Sequence, residues 1–70
     1  MLGENIKKHR EIQGLTQTAL GSKVCSSAAA VSSWERGKKI PDIETVIELA
    51  KVFDISLDEL ILGRKYRIQR

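Results

Sequence analysis

Apolar positions along this chain recur at intervals of three and four residues, and no run alternates with the period of two that a half-buried strand requires. The pattern predicts five short helices and no strand. The first covers Leu2 to Gln13, with Gly14 just past its end. Its inner stripe is Leu2, Ile6, His9 and Gln13, with Arg10 beside it. That stripe is poorly apolar, so tertiary contacts must account for it. Thr16 is a natural N-cap for a second helix, Gln17 to Val24, whose Leu20 and Val24 face inward with Leu15. Gly21 lies inside this helix at a cost of roughly 1 kcal/mol relative to alanine, which implies close approach by a neighbouring helix. Cys25-Ser26-Ser27 form a turn, and Ser27 caps a third helix, Ala28 to Arg36, ended by Gly37. Ala30, Val31 and Trp34 share one arc of it, and Ala28, Ala29, Ser32 and Ser33 the opposite one. After the basic loop Lys38-Lys39-Ile40-Pro41, Asp42 caps a fourth helix, Ile43 to Phe53. Its apolar stripe is Ile43, Val46, Ile47, Leu49, Ala50 and Phe53. Ser56-Leu57-Asp58-Glu59 fits a capping box opening a fifth helix, Leu57 to Leu62, closed by Gly63. In it Leu57, Leu60 and Ile61 point one way and Leu62 another.

Seventy residues, 41% hydrophobic and 30% charged, make one small globular domain. A single cysteine excludes an intrachain disulfide, and one cysteine with one histidine cannot form a four-ligand zinc site unaided, so no metal is expected. With no staple, tight helix packing or dimerisation must supplement a small core. No window holds eighteen apolar residues, which excludes a membrane span, and the N-terminus lacks the features of a secretion signal. The free thiol then points to a reducing cytoplasm as the expected location.

Charge changes the picture by its distribution. The net charge is +3. Residues 1–41 hold seven cations and three anions. Residues 42–62 hold Lys51 against six carboxylates, and residues 63–70 carry Arg64, Lys65, Arg67 and Arg70. A molecule with separate basic and acidic regions can meet a polyanion in one orientation, which implies a nucleic-acid or membrane-surface partner. Catalysis is excluded on other grounds. There is no Gly-rich phosphate loop, HExxH or CxxC, and neither Cys25 nor any serine has an evident base. No cofactor and no small-molecule ligand are expected. His9 and Trp34 read as packing residues, and Cys25 as an inert small residue rather than a redox switch.

Two short helices joined by a tight turn in a basic all-helical domain form a helix-turn-helix pattern. Leu15-Thr16-Gln17-Thr18-Ala19-Leu20-Gly21-Ser22-Lys23-Val24, followed by Val31-Ser32-Ser33-Trp34-Glu35-Arg36-Gly37, resembles the Xre-type helix-turn-helix of the phage repressor and Cro family. So do Pro41-Asp42-Ile43-Glu44-Thr45, Leu49-Ala50-Lys51-Val52-Phe53 and Ser56-Leu57-Asp58-Glu59-Leu60. The resemblance implies a compact five-helix, lambda-repressor-like domain over residues 1–63, with 64–70 as a basic C-terminal tail. It implies a transcriptional regulator, expected to be a repressor, that binds double-stranded operator DNA as a homodimer with its third helix in the major groove. Ser27, Ala28, Ala29, Ser32 and Ser33 are the candidates for groove contact. Thr16, Gln17, Arg36, Lys38 and Lys39 are the candidates for phosphate contact. Arg10 and Glu35 are expected to form a structural ion pair, and Ile61, Leu62, Tyr66 and Ile68 a dimer interface.

The chain departs from that family where bases are usually read. Alanine and serine replace the long polar residues that discriminate guanine or adenine through two hydrogen bonds. Weak direct readout follows, with specificity drawn from DNA shape. The alternative is a protein-interaction module, of antitoxin or anti-repressor type, that kept the fold while its base-reading face eroded. Cys25 stands where the family often has a turn glycine, so it either adopts a positive φ or alters the turn.

Overall fold

Residues 2–64 are described by the computed structural model. They form α1 (Leu2–Ile12), α2 (Gln17–Lys23), α3 (Ala28–Glu35), α4 (Ile43–Phe53) and α5 (Leu57–Leu62). No strand occurs among the described residues. Helices α1, α2 and α3 end one residue before the sequence pattern predicts, since Gln13 falls in a turn and Val24 and Arg36 take the C-cap positions.

Four helices begin on the same device. The side chains of Thr16, Ser27, Asp42 and Ser56 accept from the backbone N–H three residues on, at 3.0, 3.1, 2.8 and 3.0 Å. At Ser56 half of the anticipated box is used. The Glu59 carboxylate lies 3.9 Å from His9 Nε2 on α1, so the pair connects α5 to α1.

Ile6, Leu20, Val31, Leu49 and Leu60, one from each helix, are fully buried at the centre. Val24, Trp34, Val46, Ala50 and Phe53 complete the core. His9 is buried too, its ring 5.6 Å from that of Phe53. The poorly apolar stripe of α1 is explained by such contacts. Asn5 Nδ2 donates to the Leu60 carbonyl at 2.8 Å, and Gln13 Nε2 to that of Val52 at 3.2 Å. Gly21 is buried, and a Cβ there would stand 2.9 Å from the Ser26 carbonyl oxygen and the Ser27 carbonyl carbon. The close neighbour is therefore the turn before α3, not the body of a helix.

Two apolar expectations are corrected. Ile43 and Ile47 are exposed rather than buried in the α4 stripe, and Leu57 is 40% exposed. At about 100° per residue the six apolar positions of α4 span roughly 160°. The core contacts the arc of Val46, Leu49, Ala50 and Phe53 and leaves the edge uncovered. Leu57, at the first position of α5, lies beside that uncovered edge.

Candidate nucleic-acid interface

Helix α3 shows the two arcs its sequence implies. Val31 and Trp34 are buried, Ala29 and Ser27 are exposed, and Ala28, Ser32 and Ser33 are half-buried. The face is short because its side chains are alanine and serine. Among the described residues no hydrogen bond occupies the hydroxyls of Ser32 or Ser33, whereas Ser27 Oγ accepts from Ala30 N–H. The following loop folds back on the same helix end. Lys38 N–H and Lys39 N–H both donate to the Ser33 carbonyl, at 2.9 and 3.3 Å. Arg36, Lys38 and Lys39 are all exposed, so three cations extend the α3 surface at its C-terminal end.

A buried polar cluster sets the angle at which α3 is presented. Arg10 Nε donates to Glu35 Oε2 at 2.6 Å, and Nη2 to Oε1 at 3.2 Å. The two side chains are 13% and 4% exposed. The hydrogen bond to Glu35 raises the Arg10 pKa above its ordinary value, against a lowering by burial. Arg10 Nη1 also donates to the Leu15 carbonyl at 2.8 Å. Gln17 Nε2 donates to Glu35 Oε1 at 3.1 Å. One carboxylate at the end of α3 thus holds α1, the start of α2 and, through Arg10, the loop between them.

That arrangement changes the reading of Gln17. Its half-buried side-chain amide donates one N–H to Glu35, so a ligand at the start of α2 would meet the backbone and at most the second N–H of that amide. Thr16 is exposed there, its Oγ1 accepting from Ala19 N–H. The sequence carries the signal in retrospect, since a glutamine at the first position of α2 and a glutamate at the last of α3 are complementary donor and acceptor. Nothing in the sequence places them side by side.

At the turn, Cys25 is exposed and adopts φ 57°, the left-handed region that favours glycine. It therefore fills the turn-glycine position by adopting its backbone conformation. Of the expected dimer residues, Ile61 is half-buried against the core and Leu62 is 44% exposed. Tyr66 and Ile68 lie outside the described residues. Leu57 and Ile47 are exposed as well and line a groove between α4 and α5. The breadth of the α4 stripe was the available sign of it. Among the described residues no group of His, Cys, Asp and Glu is placed to hold a metal, and no helix is long and apolar enough to cross a membrane.

The helix-turn-helix family profile matches residues 6–60. The chain belongs to that family.

Its relatives are transcriptional regulators. Over 63 residues it is 36% identical to the uncharacterized regulator YqaE of Bacillus subtilis, covering 90% of this chain and 54% of YqaE. It is also 36% identical over 63 residues to the repressor protein C2 of Salmonella phage P22, covering 90% of this chain and 29% of C2. The chain therefore spans about half of the first relative and under a third of the second. The crystal structure of the P22 c2 repressor in complex with a synthetic operator superposes with a TM-score of 0.86 at 36% identity, over 91% of this chain and 97% of that one. The fold is thus lambda-repressor-like and the family a non-enzymatic one of DNA-binding regulators.

Proposed function

We propose that this helix-turn-helix chain binds double-stranded DNA and regulates transcription, as a repressor, by laying α3 in the major groove of a palindromic operator as a two-fold dimer. Residues 1–63 form the DNA-binding unit and residues 64–70 a basic extension. The observation that carries the reading is the outward face of α3, unobstructed by any other described element and continued by Arg36, Lys38 and Lys39. Eight helical residues measure about 12 Å, close to the width of the major groove at about 12 Å. When Ser27, Ala28, Ala29, Ser32 and Ser33 occupy the groove, the loop after α3 therefore reaches the flanking strand, where its cations neutralise phosphates. Thr16 and the backbone of Gln17 face the opposite strand. These three serines and two alanines give loose base discrimination, so DNA deformability contributes much of the preference. The dimer uses the apolar surface of α5, with Ile61 and Leu62, extended by Tyr66 and Ile68.

Selection from random duplexes followed by salt titration of the winner tests this. The expected product is a palindrome with half-site centres about one helical turn, 34 Å, apart. Affinity should fall by roughly 0.9 log unit per phosphate contact for each tenfold rise in salt. A sharp guanine-rich consensus in each half-site contradicts loose readout. Failure to enrich any duplex overturns the DNA-binding assignment and leaves the protein-interaction reading.

A further inference from the structure

The acidic half of the molecule carries a feature that DNA binding does not use. Between α4 and α5 lies a groove of about 580 Å³, with Ile47, Ile55 and Leu57 in its lining. Ile47 and Leu57 are 37% and 40% exposed. Asp54 and Glu59 line the same groove, and Asp58 is exposed next to Leu57. The one cation of the lining, Lys51, is 3.5 Å from Glu48 and so partly neutralised. The site is thus an apolar floor with an acidic margin, in a segment, 42–62, of net charge −5.

The same chain contains a segment of matching chemistry. Residues 63–70 carry a net charge of +4, and two large apolar residues, Tyr66 and Ile68, stand two apart between cations. In an extended backbone, residues two apart share a face. Tyr66 and Ile68 would then face one side while Lys65 and Arg67 flank them on the other.

We propose that the segment 64–70 of one protomer docks in the α4–α5 groove of its dimer partner. Tyr66 and Ile68 sit on Leu57 and Ile47, Arg64 shares their face and meets Asp54 and Asp58 at the margin, and Lys65 and Arg67, on the opposite face, add to the attraction of the acidic surface at longer range. The proposal rests on the dimer through α5 proposed above. Geometry favours the partner's groove over the segment's own. The groove lies at the N-terminal end of α5, whereas the segment leaves the C-terminal end, where Gly63 adjoins Asn5 of α1. A two-fold axis running across α5 packs the two copies antiparallel, so the C-terminus of one meets the N-terminus of the other. Residues 64–68 then span about 16 Å onward when extended, without reversing direction. Docking in cis requires a reversal and a return along the whole helix, about 9 Å.

The test uses the full chain at millimolar concentration. Protomers with isotopically labelled Ile and Leu methyls are mixed with unlabelled protomers, and intermolecular nuclear Overhauser effects are recorded while sedimentation reports the dimer. The expected result is contact between the Tyr66 ring of one protomer and the Leu57 and Ile47 methyls of the other. Arg64→Gln, Lys65→Gln and Arg67→Gln together should raise the dimer dissociation constant at least tenfold. Contacts within one protomer only overturn the exchange. A dimer without contact between Tyr66 and the groove overturns the docking and leaves the α5 dimer standing. A monomer at every concentration, with no such contact, overturns both.

Discussion

Arg10 and Glu35 join the first helix to the third through two parallel hydrogen bonds, Nε to Oε2 at 2.6 Å and Nη2 to Oε1 at 3.2 Å. Both side chains are largely withdrawn from solvent. Removing one partner leaves the other buried without its counter-charge, which costs roughly 3–5 kcal/mol. Arg10→Ala should lose about 3 kcal/mol in urea unfolding, a large share of the stability of so small a domain. Among molecules that remain folded, the rank order of preferred DNA sequences should not change. An unaltered melting temperature contradicts the role given to the pair.

Gln17 supplies the third hydrogen bond to the same carboxylate. Gln17→Ala should therefore destabilise the free protein by about 1.5 kcal/mol, the low end for a hydrogen bond to a charged acceptor. A double-mutant cycle with Glu35→Gln isolates the coupling. A side chain reserved for phosphate would leave stability without DNA untouched and show no coupling.

Gly21→Ala separates propensity from packing. Helix propensity alone favours alanine by about 1 kcal/mol. The added Cβ would meet backbone atoms of Ser26 and Ser27 at 2.9 Å, and backbone does not yield as a flexible side-chain end would. Overpacking of this kind costs about 1–3 kcal/mol. A net loss of stability in chemical denaturation is expected, and a gain would contradict the tight turn.

Cys25 holds a positive φ of 57° with its side chain exposed. Cys25→Gly should relieve about 1 kcal/mol of backbone strain, partly offset by the greater entropy of glycine in the unfolded chain. The melting temperature should rise by a few degrees, with DNA affinity unchanged within twofold. A lower melting temperature would show that the thiol packs usefully.

Asp42 gives the fold an acid-sensitive cap. Its pKa lies below the ordinary value of 3.8 because of hydrogen bonds with the Thr45 side chain and, secondly, its backbone. A carboxylate with a depressed folded pKa stabilises the fold above its unfolded pKa. That contribution fades as pH falls through the folded value. Asp42→Asn keeps a good cap residue and removes the titration. Its stability should match the parent near neutral pH and fall less steeply below about pH 4. Parallel curves would show that the cap does not titrate with folding.

Local rules determined the helices of this protein. Thr16, Ser27, Asp42 and Ser56 mark helix starts because a short oxygen-bearing side chain satisfies a backbone N–H three residues on. That relation is written entirely in neighbouring residues. The two arcs of α3, the inward Trp34 and the family resemblance followed from the same short-range spacing. Tertiary structure decided what depends on distance across the chain. It turned Gln17 onto Glu35, 18 residues away, and placed the Asn5 amide on Leu60, 55 residues away. It also left Ile47 and Leu57 uncovered, because a core built from one residue stripe per helix could bury only part of an arc of roughly 160°. Periodicity shows that a helix has an apolar side. Only the packed neighbours determine how much of that side is covered and which polar groups come within hydrogen-bonding reach.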